Sequence, residues 1–162
     1  MVIGGLIMKY QETKKVLNQL VADLNQMITV VHQTHWYMRG RGFMKLHPLM
    51  DKFMDDLNEQ MDVISERLIA IDGAPFSTLR EFADNTKIPD EKGRWDRTMD
   101  ERLEILVKDY RYLADLYQKG IDVSDKEGDA SSNDIFTGFK TDTEKRIWML
   151  QAELGKAPEI DA

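Results

Sequence analysis

Hydrophobic residues recur at intervals of three and four along most of this 162-residue chain. That spacing is the signature of one buried face of an α-helix, and no segment alternates apolar and polar residues as a half-buried strand does. Four long helices are predicted, over about residues 11–37, 44–71, 96–119 and 133–154. Glycines mark the expected ends of the last two, at Gly120 and Gly155. The pattern predicts an all-α protein.

The connection between the second and third helices is long, at about 25 residues, and contains a short helical segment over residues 77–82. Ser77 is a suitable N-cap for it, with Glu81 in its first turns. A polar stretch over residues 122–133 is predicted to join the third and fourth helices. Four long helices with one long connection indicate a bundle with a crossover rather than a simple up-and-down array.

The second helix has a line of potential metal ligands beside its apolar face. At about 100° per residue, His47, Asp51, Asp62 and Glu66 fall within a sector of about 100°. His35 lies near the end of the preceding helix. Histidine combined with carboxylates suits iron, manganese or zinc. Lys52, Asp56, Glu59 and Arg67 of this helix are expected on its solvated side.

The length of this line constrains how it can bind a metal. Asp51 and Asp62 are separated by roughly 16 Å along the helix axis, whereas metal–ligand bonds are roughly 2 Å long. One ion therefore cannot contact both halves within one chain. Either each half binds separately, or a second chain in antiparallel orientation brings its Asp62 and Glu66 to this chain's His47 and Asp51. A Glu-x-x-His pair, typical of iron sites within one ferritin bundle, does not occur in the sequence.

Composition narrows the class of protein. The chain is 42% hydrophobic and carries a net charge of −7, which indicates a folded domain and disfavours nucleic-acid binding. It has no cysteine, which excludes disulfides and thiolate sites. No segment has the composition of a secretion signal or a membrane span. We expect one domain over residues 1–162, with a tail over about residues 1–9, in a cytoplasmic protein.

Several motifs together resemble the Dps family of mini-ferritins. The ligand types and spacing match from His35 through His47, Asp51 and Asp62 to Glu66, and the similarity extends from about residue 14 to 158. Further matching segments are His35-Trp36-Tyr37-Met38-Arg39-Gly40, Ser65-Glu66-Arg67-Leu68, Gly73-Ala74-Pro75-Phe76-Ser77-Thr78-Leu79, Asp125-Lys126-Glu127-Gly128-Asp129 and Ile147-Trp148-Met149-Leu150.

The resemblance implies a ferritin-like four-helix bundle that assembles into a dodecameric shell built from two-fold dimers. It implies ferroxidase centres, with one or two irons each, at the two-fold interfaces. His35, His47 and Asp51 would come from one subunit, and Asp62 and Glu66 from its partner. Fe(II) would be oxidised there, preferably by hydrogen peroxide, and stored as a ferric mineral.

The resemblance also assigns roles outside the ligand set. Trp36, beside His35, would either intercept radical equivalents or simply pack. The acidic residues before and within the fourth helix, Asp125, Asp129 and Asp134, would belong to a pore through which iron enters.

DNA binding is not expected to follow from the resemblance. Family members that bind DNA usually do so through a terminal tail rich in Lys and Arg. Here the first 15 residues contain only Lys9, Lys14 and Lys15, and a shell of twelve chains would carry twelve times the charge of −7, which repels phosphate. Two alternatives to an iron-storing ferroxidase remain: a nucleoid-associated or structural shell with an incidental metal site, and a zinc or manganese buffer without turnover.

Overall fold

The structure is a computed structural model that describes residues 2–3 and 6–161. Ahead of the helices, Val2–Ile3 (β1) and Leu6–Ile7 (β2) pair as a minimal antiparallel ladder. The predicted tail over residues 1–9 lies partly outside the described residues. Five helices follow, namely α1 (Gln11–Tyr37), α2 (Phe43–Ala70), α3 (Leu79–Asn85), α4 (Met99–Glu127) and α5 (Ala130–Glu153).

The four long helices form a bundle of two helical hairpins. α1 packs along α2, α4 packs along α5, and α1 and α4 join the two hairpins, whereas α2 and α5 touch only loosely. The short helix α3 lies in the long connection and packs on α1. The predicted all-α bundle with a crossover and a short extra helix is therefore confirmed.

The apolar face predicted for the second helix is the face that α2 buries. Met50, Phe53, Leu57, Ile64 and Leu68 are all at most 2% exposed, and Met54, Met61 and Ile71 pack against them. The opposite face of α2 is charged, so the helix is amphipathic. None of the helices in the described part of the chain is both long and apolar enough to cross a membrane.

The boundary between the last two helices differs from the prediction. α4 continues through Gly120 to Glu127, and the polar stretch after residue 122 is helical apart from a tight turn. Gly128 takes the left-handed conformation that ends α4, at φ 73°. Asp129 then caps α5 by accepting a hydrogen bond from the Ser132 amide. Predicting a helix end at Gly120 was wrong because that glycine is needed for packing, not for a turn.

The start of the short helix also differs by one residue. Thr78, not Ser77, is the N-cap of α3, and its hydroxyl accepts a hydrogen bond from the Glu81 amide at 3.1 Å. The Glu81 carboxylate in turn accepts from the Thr78 hydroxyl at 2.9 Å. Glu81 is thus the third residue of the helix, where it supports the cap.

A fully buried carboxylate fixes the path of the long connection. Asp23 of α1 accepts hydrogen bonds from the Thr86 hydroxyl and the Lys87 amide, each at 2.8 Å, and from the Tyr112 hydroxyl at 2.6 Å. Burial, together with the bond to Asp23, raises the pKa of Tyr112 and keeps it a donor. The connection is therefore held against α1 and α4, which determines how the two hairpins are joined.

We predict that Gly120→Ala destabilises the protein although alanine favours helices. A Cβ at this position would lie 2.8 Å from the ring of the fully buried Phe136, so the core must shift, at a cost of about 1–3 kcal/mol. Gly138 of α5 is the matched control, because a Cβ there meets nothing within 4 Å, and Gly138→Ala should stabilise by about 0.5–1 kcal/mol. Denaturant unfolding of both variants measures the difference, and equal effects would contradict this packing role.

Asp109 of α4 is a second buried carboxylate, but it is not satisfied. It is 3% exposed and its Oδ2 atom has no hydrogen-bond partner. Burial raises its pKa from 3.8 to about 6, against a smaller opposing effect of Lys108. Because the native state holds the proton more tightly than the unfolded chain does, the ionised form costs stability above about pH 6.

We therefore expect Asp109→Asn to be more stable than the parent protein near pH 8, by about 1–3 kcal/mol. The gain should shrink as the pH falls from about 6 towards 4, where the parent carboxyl is protonated in both states. Unfolding by denaturant at a series of pH values tests this expectation. A loss of stability in the variant at alkaline pH would show that the carboxylate has a favourable partner.

Candidate metal centre

The turn between α1 and α2 brings two predicted ligands together. His35 is in the last turn of α1, and His47 is in the second turn of α2. Their rings stack with centroids 3.7 Å apart and planes 12° from parallel. Gly40 and Gly42, with φ of 109° and 90°, allow the tight turn that places the two helix ends side by side.

Each of the two histidines is oriented by the backbone of the other. His35 Nδ1 lies 2.7 Å from the carbonyl oxygen of His47, and His47 Nδ1 lies 2.9 Å from the carbonyl oxygen of His35. A carbonyl oxygen only accepts hydrogen bonds, so both rings carry a proton on Nδ1. In the neutral form this leaves both Nε2 atoms with a free lone pair, the state in which histidine binds metal.

A carboxylate completes this group. Asp51 lies one turn beyond His47 on α2, and its Oδ1 atom is 3.7 Å from His35 Nε2. The Asp51 side chain is 63% exposed, whereas that of His35 is 12% exposed. Phe43, which sequence reasoning did not single out, stacks on the His47 ring at 4.8 Å. The two histidine rings are thus held by hydrogen bonds and stacking, whereas Asp51 is open to solvent.

The structure does not bring Asp62 and Glu66 to this group. Both are exposed on the continuous helix α2, Asp62 being three turns beyond Asp51. Within residues 2–3 and 6–161, no three His, Asp or Glu side chains converge closely enough to enclose an ion. The predicted five ligands therefore occupy two separate places on one chain.

On α2, potential metal ligands lie at equal distances on either side of a point between Asp56 and Leu57. His47 and Glu66 are equidistant from that point, and so are Asp51 and Asp62. Met44 and Ile69 form a further equidistant pair outside the ligands, and they are 85% and 60% exposed. The row of potential metal ligands is thus flanked at each end by a large apolar side chain that is exposed to solvent.

Trp36 follows His35 at the end of α1. It is 63% exposed, and its ring stacks on His32 with centroids 4.7 Å apart. Its side chain therefore is not part of the core, and it is a second exposed apolar group near the histidines, after Met44.

The acidic residues predicted to belong to a pore separate into two kinds. Asp125 and Asp134 are exposed and line the same surface depression at the turn between α4 and α5. Asp129 is 2% exposed and accepts a hydrogen bond from Arg67 at 2.6 Å.

The expectation that Arg67 lies on the solvated side of α2 was wrong. Its guanidinium donates to the Asp129 carboxylate and, at 2.8 Å, to the Ser132 hydroxyl, so the side chain is directed towards the start of α5. Asp129 thus joins α2 to the start of α5 and faces inward.

Comparison with known proteins places these features in context. A family profile of the ferritin-like domain matches residues 14–160. The DNA protection during starvation protein of Streptococcus suis is 54% identical over 149 residues, which cover 92% of this chain and 87% of that protein. The corresponding protein of Listeria monocytogenes is 48% identical over 147 residues, covering 91% of this chain and 94% of that one.

Comparison with solved structures gives the same kind of protein as the sequence comparison. The crystal structure of Dps from Listeria monocytogenes superposes with a TM-score of 0.89 at 48% identity, covering 90% of this chain and 95% of that chain. A structure of Dps from Listeria innocua soaked with cobalt has a TM-score of 0.89 at 47% identity, covering 90% and 94%.

Proposed function

Because the chain belongs to the Dps family of ferritin-like proteins, we propose that it is an iron-storing ferroxidase. The observation that carries the proposal is the pair of histidines, whose Nε2 atoms are left free by their bonds to backbone carbonyls, next to the exposed Asp51. Residues 1–162 would form a single domain of this kind, with a tail over about residues 1–9. The cytoplasmic location expected from the sequence remains a prediction.

The metal centre is shared between two antiparallel copies of the chain. If a two-fold axis passes α2 between Asp56 and Leu57, His47 faces the partner's Glu66 and Asp51 faces the partner's Asp62. The same axis places Met44 against the partner's Ile69, so that these exposed apolar side chains are covered. One rotation thus completes the ligand set and buries the apolar groups at its ends. Two such centres form in each dimer, and dimers assemble into the dodecamer.

Fe(II) is the substrate of this centre. His35, His47 and Asp51 bind it from one chain and the partner's Asp62 and Glu66 bind it from the other. The carboxylates favour Fe(III) over Fe(II) and so lower the cost of oxidation. Two Fe(II) ions give one electron each to hydrogen peroxide, and with two protons this yields two waters and two Fe(III). Delivery of both electrons avoids release of a hydroxyl radical, and the ferric product is stored as mineral.

Iron reaches the interior through the depression lined by Asp125 and Asp134. Exposed carboxylates attract divalent cations, and a turn at the end of two helices is a place where several copies can meet. Asp129 would contribute by fixing this turn through Arg67 rather than by facing the pore. Trp36 would lie at the edge of the dimer contact, where it either reacts with radicals or packs.

A nucleoid-associated shell is the second candidate, and the name of the relatives favours it, since they are called DNA protection during starvation proteins. The net charge of −7 opposes direct DNA binding. Removal of Fe(II) and peroxide would protect DNA without any contact. We therefore attribute the protection of DNA to the removal of Fe(II) and peroxide rather than to DNA binding.

Asp62→Ala combined with Glu66→Ala should abolish rapid oxidation of Fe(II) by peroxide and leave the shell assembled. Both side chains are exposed, so their loss removes ligands without disturbing the core. Glu59→Ala is the matched control, since Glu59 is an exposed carboxylate on the same helix but outside the ligand line. The growth of ferric absorbance after anaerobic Fe(II) loading measures the rate. Parent-like rates in the double variant would refute the site, and a parent protein that binds Fe(II) without oxidising it would favour a simple metal buffer.

The assembled protein should form no complex with duplex DNA in a gel-shift titration at neutral pH and physiological salt. Electrostatic repulsion between an acidic shell and phosphate is the reason. A chelator in the buffer prevents metal bridges between carboxylates and phosphates. Tight binding that weakens steeply with salt would reveal a basic surface and favour the nucleoid-associated alternative.

A further inference from the structure

The imidazole ring of His47 belongs to a stack of three nearly parallel rings. Its centroid is 3.7 Å from that of His35, with planes 12° apart, and 4.8 Å from that of Phe43, with planes 24° apart. His35 is itself a predicted ligand, whereas a phenyl ring offers no lone pair to a metal ion. Any contribution of Phe43 to a metal centre is therefore made through His47.

The start of α2 places Phe43 against His47. Phe43 is the first residue of α2, and its amide donates to the Gly40 carbonyl oxygen at 3.1 Å. His47 follows four residues later, and side chains at this spacing lie one above the other on a helix and lean towards its N-terminus. Phe43 also packs against the hydrophobic core, so its own ring is held. The first turn of α2 thus supplies a fixed flat surface for the His47 ring.

The hydrogen bond of His47 does not fix its ring alone. Nδ1 lies 2.9 Å from the His35 carbonyl oxygen, which holds one atom, but the torsion between Cβ and an imidazole ring is intrinsically broad. Tilting the ring about this hydrogen bond moves Nε2, and the stacked rings oppose that tilt. The hydrogen bond thus determines which nitrogen is free, and the stack determines where its lone pair points.

We propose that Phe43 is a positioning residue of the metal centre, which holds the His47 ring so that Nε2 is directed at the ion before the ion binds. The inference rests on the proposed function in taking His47 as a ligand. Without the phenyl ring, His47 keeps its hydrogen bond but has to be ordered when metal binds, which lowers the affinity. An aliphatic side chain fills the same space without the flat face against which an imidazole stacks.

Binding of Co(II) to the assembled, iron-free protein at neutral pH tests the proposal. Phe43→Leu and Phe43→Met should each weaken Co(II) binding about two- to tenfold, the cost of ordering one side chain. Phe43→Tyr keeps the ring and should bind Co(II) like the parent. Phe139→Leu is the matched control, since Phe139 also packs against the core and contacts an aromatic ring, that of Tyr117, but lies on α5. It should leave Co(II) binding unchanged.

A double-mutant cycle separates positioning from a general effect on the fold. Phe43→Leu should have no further effect on Co(II) affinity in a His47→Ala background, because Phe43 acts only through that ring. In Fe(II) oxidation, Phe43→Leu should raise the Fe(II) concentration at half-maximal rate by the same factor as it weakens Co(II) binding. The maximal rate should stay close to that of the parent, since the ring is ordered once iron is bound.

Four results would overturn the proposal. They are parent-like Co(II) affinity in both aliphatic variants, equal weakening in Phe43→Tyr and Phe43→Leu, an undiminished effect of Phe43→Leu without His47, and loss of assembly in both aliphatic variants on size-exclusion chromatography. The last would assign Phe43 to folding. A parent protein that shows the expected pattern with Co(II) but does not oxidise Fe(II) would refute the ferroxidase and leave the positioning role intact.

Discussion

The rise of a straight α-helix, 1.5 Å per residue, is the constraint on which the proposed metal chemistry depends. α2 is continuous from Phe43 to Ala70, and its two groups of ligands are fixed roughly 16 Å apart. No side-chain rotation can close that distance. If the five residues form one centre, as we propose, a second copy of the chain must supply half of the ligands, and the ordering of residues along α2 gives that copy one orientation. Dimer formation would then be the step that completes the centre.

The α1–α2 turn fixes the orientation of the two histidines through contacts within one chain. Each ring is held by the carbonyl oxygen at the other histidine, and Phe43 stacks on one of them. The backbone thus selects the tautomer, and little reorganisation remains when an ion binds. The carboxylates differ from the histidines, since they are exposed, and in the proposed dimer they are oriented only when two copies meet.

Much of the fold could be predicted from the sequence because the apolar residues of α2 follow a regular helical period. The end of α4 and the start of α5 could not, since Gly120 is equally compatible with a helix stop and with close packing against Phe136. The inward orientation of the Arg67 side chain was also missed. Its partner Asp129 is 62 residues away, and helical periodicity carries no information on contacts between distant residues. The roles of Asp23 and Asp109 also depend on tertiary burial, which a single sequence does not record.

Complementation between two inactive variants tests the sharing of the centre most directly. One variant has His35→Ala and His47→Ala, the other has Asp62→Ala and Glu66→Ala, and the two are refolded together in equal amounts. In a mixed dimer one centre receives both defects and the other receives none. Half of the dimers are mixed, so Fe(II) oxidation should recover to about a quarter of the parent rate if centres act independently. No recovery, with mixed dimers confirmed by mass spectrometry, would contradict a site built from two chains.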